Sequence, residues 1–119
     1  MQAGATGRAT LTVGHADTAL ALGSGDVAVL GTPRVLALVE QACVAALGDT
    51  LATEQTSLGA WVELEHLRPT AVGATVVASA TLTEVDGRRL TFAATVDQDG
   101  REVARARHRR VVVARDSVR

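Results

Sequence analysis

Three side chains in this 119-residue chain have the types and spacing that hydrolytic chemistry needs. Thr32 precedes Glu40 by eight residues, and His66 follows in a later stretch of alternating apolar residues. A hydroxyl can orient a water molecule, a carboxylate can activate that water or attack directly, and an imidazole transfers protons near neutral pH. Nothing else in the sequence offers comparable chemistry, so these three residues are the first candidates for a catalytic site.

A helix must position Thr32 and Glu40, and we predict it from Thr32 to Leu47. Thr32 is a favourable N-cap, Pro33 suits the first helical position, and Gly48 suits the position just after the helix. Glu40 falls at the edge of the apolar face, where a carboxylate is partly desolvated unless it finds a partner. The apolar face itself comprises Val35, Leu36, Val39, Ala42, Cys43, Ala46 and Leu47.

A strand must position His66, and the alternation of side chains predicts one over residues 58–66. Strict alternation puts His66 on the apolar face and Gly59 on the opposite face. Further strands are predicted over 8–13, 74–85, 90–96 and 103–113, with Asp-Gly turns at 86–87 and 99–100.

The order of elements is one strand, a long loop, one helix and then four strands joined mostly by tight turns. This order predicts an α+β fold in which a curved antiparallel sheet covers the helix. The length suits one domain over residues 1–119, with residues 1–7 disordered. A nucleotide-binding fold is disfavoured because the chain has neither βαβ alternation nor a glycine-rich phosphate loop.

Composition and charge limit the binding partners and the cellular compartment that are expected for this protein. Hydrophobic residues make up 47% of the chain but only Trp61 and Phe92 are aromatic, so a dimer interface could supply burial that one small-residue core lacks. The net charge of −1 gives no general reason to bind nucleic acid or an anionic membrane. A lone Cys43, no long apolar run and no signal-peptide pattern predict a cytoplasmic protein without a disulfide or a membrane partner. Three dispersed histidines argue against a zinc site.

Four segments together resemble the hot-dog-fold thioesterases, and most of all the fluoroacetyl-CoA thioesterase group. The resemblance extends from about Gly31 to Ala114 and rests on the order and spacing of the segments 32–44, Ser57-Leu58-Gly59 with His66, 85–90 and 108–111. It implies a hot-dog fold, with one long central helix wrapped by a curved antiparallel sheet. It also implies an acyl-CoA substrate, no metal or other cofactor, and a homodimer or higher homo-oligomer with active sites between subunits.

The same resemblance implies roles for individual residues. Thr32, Glu40 and His66 match the catalytic triad by position. Gly59, seven residues before the histidine, matches a glycine whose backbone amide lies near the thioester oxygen. Arg110 matches an arginine that contacts the substrate region or CoA. Sequence leaves open whether Glu40 acts as nucleophile or as general base.

The segment before the helix departs from the fluoroacetyl-specific pattern. Val27, Val29 and Leu30 stand where that enzyme has a lid with phenylalanines, so strong selectivity for fluoroacetate is not expected. The natural acyl group stays open, and so does the choice between CoA and acyl-carrier-protein thioesters. Two other functions also fit the pattern: a hot-dog dehydratase or hydratase acting on acyl thioesters, and a non-catalytic acyl-CoA-binding protein.

Overall fold

Five antiparallel strands curve around one long helix in residues 1–118, which a computed structural model describes. The strand order is β1-β3-β4-β5-β2, so β1 and β2 form the two edges of the sheet. This arrangement confirms the predicted α+β architecture. The elements in chain order are β1 Thr6–Thr12, α1 Ala19–Leu22, α2 Thr32–Leu47, β2 Gln55–His66, β3 Thr75–Asp86, β4 Arg89–Gln98 and β5 Arg101–Ala114.

The long helix α2 has the predicted bounds but a different N-cap. Gly31 is the N-cap and Thr32 is the first helical residue, with no side chain capping the helix. The prediction of Thr32 as N-cap was wrong because its hydroxyl makes a hydrogen bond to a residue of β2 instead. The buried face also differs by one residue, since Leu38 is fully buried while Leu36 is only half-buried.

The core lies between α2 and the inner face of β3, β4 and β5. Its largest fully buried side chains include Phe92, Leu82 and Leu90, and much of the rest is valine and alanine. β1 also packs closely on the helix, because a Cβ atom at Gly7 would overlap the backbone of α2 at Ala42 and Ala46. The first strand begins at Thr6. Residues 6 and 7, the last two of the segment predicted to be disordered, therefore belong to the sheet.

A β-bulge interrupts β2 beside the helix. Gly59 pairs with Arg110 and Trp61 pairs with Arg109, which leaves Ala60 as the extra residue. An extra residue shifts the alternation of side chains by one. As a result Gly59 and His66 both face α2, and the prediction that they lie on opposite faces was wrong. No helix within residues 1–118 is long and apolar enough to cross a membrane.

Candidate active site

Thr32 and His66 form the first of two polar clusters. The Thr32 hydroxyl, at the start of α2, lies 2.9 Å from Nδ1 of His66, at the end of β2. Nε2 of His66 is buried and has no hydrogen-bond partner among the described residues. The hydrogen bond at Nδ1 orients the ring, which leaves Nε2 available for proton transfer.

The surroundings of His66 favour its neutral form. Burial lowers the pKa of His66 below its ordinary value of 6.5, and the backbone of Arg68 acts in the opposite direction but does not reverse the shift. An open cleft of about 260 Å³ adjoins the imidazole, and Thr32 and Pro69 are among its lining residues. A neutral imidazole beside a cleft can accept or relay a proton from a molecule bound there.

The segment before α2, which was predicted to be a lid, forms backbone hydrogen bonds with the loop after β2. The Leu30 N–H donates to the Thr70 carbonyl at 2.9 Å, and Val29 forms a β-bridge with Ala71. Leu30 is buried in the core, although it and Val29 also border the cleft. Val27 is largely exposed. The lid role of these three residues stays a prediction.

Glu40 and Arg110 form the centre of the second polar cluster. Nη1 of Arg110 donates to Oε2 of Glu40 at 3.0 Å. Arg110 also donates from Nε to Oγ of Ser57 at 2.9 Å and from Nη2 to the Ser57 carbonyl at 3.0 Å. The guanidinium is nearly buried, whereas the Glu40 side chain is 39% exposed. Arg110 therefore fixes the carboxylate at the surface, and direct contact between Arg110 and substrate stays a prediction.

His108 completes this cluster as a neutral imidazole. Its Nδ1 lies 2.8 Å from the Trp61 carbonyl, which can only accept, so Nδ1 carries the proton. Nε2 then accepts from Nη1 of Arg110 at 3.2 Å. Burial lowers the pKa of His108, the charge of Arg110 lowers it further, and the Trp61 carbonyl and Glu40 oppose them. Although Glu40 Oε2 lies 3.7 Å from Nε2, the neutral ring forms no ion pair with it.

The bulge in β2 brings Gly59 against this cluster. A Cβ atom at position 59 would lie 2.6 Å from Oε2 of Glu40. Cys43 lies in the same region, but burial raises the pKa of its thiol to about 12, so it has no thiolate to offer. Among residues 1–118, no group of three or more His, Cys, Asp or Glu side chains could hold a metal ion.

The two clusters lie apart on one chain. Eight residues along α2 separate Thr32 from Glu40, a rise of roughly 12 Å. Seven residues along β2 separate Gly59 from His66, a span of roughly 23 Å. Within one chain, Thr32 therefore lies beside His66. Glu40 lies beside Gly59 and Arg110, far from His66.

Comparison with known sequences places the chain in a family. The sequence model of the fluoroacetyl-CoA-specific thioesterase family, FlK, matches residues 13–116. The chain belongs to this family. The fluoroacetyl-CoA thioesterase of Streptantibioticus cattleyicolor is 33% identical over 85 residues, which are 71% of this chain and 61% of that protein. The match thus covers less than two thirds of that relative's length.

Solved structures similar to this chain have the same fold. A mutant of the fluoroacetyl-CoA-specific thioesterase FlK in complex with fluoroacetate and CoA has a TM-score of 0.93, 26% identity, and 100% coverage of both chains. A hot-dog-like protein from Thermanaerovibrio acidaminovorans has a TM-score of 0.88 and 26% identity, covering 98% of this chain and 86% of that one. These similarities confirm the hot-dog fold and the resemblance to a thioesterase family.

Sequence reasoning missed two members of the second cluster, Ser57 and His108. A signal for His108 was present, because it shares the inner face of β5 with Arg110 between alanine and valine residues. Polar side chains on a buried strand face require hydrogen-bond partners, so a buried polar network was predictable there. No comparable pattern singled out Ser57, which is recruited by the guanidinium of a residue 53 positions away.

Proposed function

We propose that this protein hydrolyses acyl-CoA thioesters at a site formed by two copies of the chain. Water adds to the thioester carbonyl, the carbon–sulfur bond breaks, and the products are a carboxylic acid and the free thiol of CoA. Membership in a thioesterase family supports this reaction over dehydration or hydration of an acyl chain. The observation that carries the proposal is the separation of Glu40 from the Thr32–His66 pair within one chain.

A second copy can close this separation through the β2 edge. Two β2 strands pairing antiparallel about a two-fold axis near Val62 or Glu63 would set His66 of one copy beside position 59 of the other. Because Gly59 lies against Glu40, the same pairing would bring the Glu40 carboxylate to the partner's Thr32–His66 pair. A two-fold dimer of this kind forms two identical sites.

The outer edge of β2 supports such pairing. β2 is an edge strand of 12 residues, a length that leaves many backbone groups open to another strand. Leu58, Trp61 and Val62 on this strand and Val44 on α2 are each more than a third exposed. A partner strand would bury these apolar side chains and satisfy the open backbone groups together.

The proposed site assigns each group a step. Oε2 of Glu40 is held by Arg110, which leaves Oε1 available either to take a proton from water or to attack the carbonyl. His66, oriented by Thr32, relays a proton at Nε2, so that the proton lost by the attacking water is gained by the departing sulfur and the ring ends neutral. The Gly59 N–H is assigned to the developing oxyanion, a contact worth about 3 kcal/mol in comparable sites.

Thiol release from a panel of acyl-CoA thioesters tests this reaction. Glu40→Gln and His66→Ala should each lower hydrolysis by roughly 10²-fold or more. Glu84→Gln and His15→Gln, which alter an exposed carboxylate and an exposed imidazole outside both clusters, should retain wild-type rates. Near wild-type rates in either Glu40→Gln or His66→Ala would remove that residue from the proposed mechanism.

The same panel separates the other two functions that the sequence leaves open. A dehydratase or hydratase would change the acyl chain of an enoyl or 3-hydroxyacyl thioester without releasing thiol. A non-catalytic binding protein would bind acyl-CoA saturably and release no thiol. Either result with the wild-type protein, across acetyl, medium-chain, aryl, enoyl and 3-hydroxyacyl thioesters, would contradict hydrolysis.

A further inference from the structure

We propose that His108 is a positioning residue that fixes both the Glu40–Arg110 pair and the bulge at Gly59. The inference rests on the proposed function, because it assigns His108 a part in preparing the site for thioester hydrolysis. His108 would touch neither substrate nor water. It acts through two hydrogen bonds behind the Glu40 carboxylate: one joins β5 to the Trp61 carbonyl of β2, and the other joins His108 to Arg110 on β5 itself.

The first hydrogen bond ties His108 to the guanidinium that holds Glu40. Nη1 of Arg110 has two hydrogens, and the structure directs one to Glu40 and the other to Nε2 of His108. The remaining contacts of Arg110 go to Ser57. With His108 in place, the guanidinium is held on three sides and the carboxylate has one fixed position.

The second hydrogen bond ties His108 to the bulge. Nδ1 donates to the carbonyl of Trp61, the residue that resumes regular pairing after the extra Ala60. The bulge sets which residues of β2 face α2, and Gly59 thereby faces Glu40. A single imidazole thus fixes the spacing between the proposed oxyanion donor and the proposed carboxylate.

The packing around His108 leaves little freedom for another arrangement. The ring is 2% exposed and stacks on Phe92 of β4, with ring centroids 6.4 Å apart and an angle of 30° between planes. The charged groups that face it are Arg110 on β5 and Glu40 on α2. A proton on Nε2 would point at the Arg110 cation, so the arrangement needs a neutral ring.

Substitution at position 108 tests this role through kcat and KM separately. His108→Leu removes both hydrogen bonds, and we expect kcat to fall roughly 10- to 100-fold because the carboxylate loses its fixed position, with KM changed less than about threefold. His108→Gln keeps one donor and one acceptor at the end of the side chain, and it should recover most of the lost rate. Val76→Ala, which creates a cavity in the core at β3, is the control for lost stability and should leave kcat unchanged.

Coupling to Glu40 separates positioning from general damage to the fold. If His108 acts through the carboxylate, adding His108→Leu to Glu40→Gln should cost little further activity. Full multiplication of the two losses would overturn the proposal, and so would a His108→Leu enzyme with wild-type kcat. Equal losses in His108→Leu and His108→Gln would overturn it as well, because the hydrogen bonds would then not matter.

A second readout needs no catalysis, so failure of this inference differs from failure of the proposed function. Long-range ¹H–¹⁵N spectra of the wild-type protein should show His108 protonated at Nδ1 alone and its Nε2 signal shifted in Glu40→Gln. A ring protonated at Nε2, or one unaffected by Glu40→Gln, would overturn the positioning role even in an active enzyme. If the protein gives the expected spectra but releases no thiol, the hydrogen-bond network of His108 stands and only the hydrolytic function is contradicted.

Discussion

Gly59 packs directly against the carboxylate of Glu40, so closely that a Cβ atom at position 59 would lie 2.6 Å from Oε2. The same point would lie 3.3 Å from Cε1 of His108 and 3.4 Å from Nη1 of Arg110. Both of these groups are buried and held by hydrogen bonds, so they cannot move away freely. The absence of a side chain at position 59 is therefore a condition for the observed position of Glu40.

Gly59→Ala should displace the Glu40 carboxylate and lower kcat. A shift of about 1 Å in a reacting group can reduce the rate roughly 10²-fold, so a loss of that order is expected. Gly14→Ala is a matched control, because a Cβ atom there would meet Asp17 Oδ2 at an ordinary 3.5 Å. Steady-state kinetics on a responsive thioester measure both variants. Equal rates for Gly59→Ala and wild type would show that the carboxylate does not need its observed position.

Stability should fall as the pH drops below about 6.5. The pKa values of His66 and His108 are both lowered by burial, so below their ordinary value of 6.5 the unfolded chain binds more protons than the folded one. Above pH 6.5 these groups leave the free energy of unfolding unchanged. Below pH 6.5 the free energy of unfolding decreases progressively as the pH falls toward the folded pKa values. Urea unfolding between pH 4.5 and 8 measures the slope.

Substitution of the buried histidine gives that experiment its control. His108→Gln removes one of the two groups, so its unfolding free energy should depend less on pH than that of wild type. His15→Gln changes an exposed histidine and should run parallel to wild type. A wild-type protein whose unfolding free energy rises on acidification through this range would contradict the neutral state assigned to both rings.

Fluoroacetyl-CoA should not be strongly preferred over acetyl-CoA. Valine and leucine border the cleft next to His66, and the segment before α2 contains no aromatic residue. An apolar pocket of this kind separates closely similar acyl groups by about 1–3 kcal/mol, or roughly 10- to 200-fold. The ratio of kcat/KM for the two thioesters tests this, and a ratio above about a thousandfold would show that another part of the chain provides the selectivity.

Sequence predicted the fold well because its signals were local. Helical periodicity, Pro33 and Gly48 bounded α2, and Asp-Gly turns marked the last three strands. The missed features depend on contacts between distant residues. The bulge at Ala60 forms where β2 meets β5, and the hydroxyl of Thr32 is drawn from the helix to His66, 34 residues away. The register of β2 against β5 decides the first, the packing of α2 on β2 decides the second, and no short pattern encodes either.

Subunit complementation tests the shared site most directly. A mixture of Glu40→Gln and His66→Ala chains, unfolded and refolded together, should regain activity that neither variant has alone. In a mixed dimer, one site would combine the intact Glu40 of one chain with the intact His66 of the other, and the second site would carry both substitutions. Random pairing of equal amounts makes half the dimers mixed, so about one quarter of wild-type activity is expected. A mixture that forms mixed dimers by mass spectrometry but stays as inactive as its components would contradict a site shared between two chains.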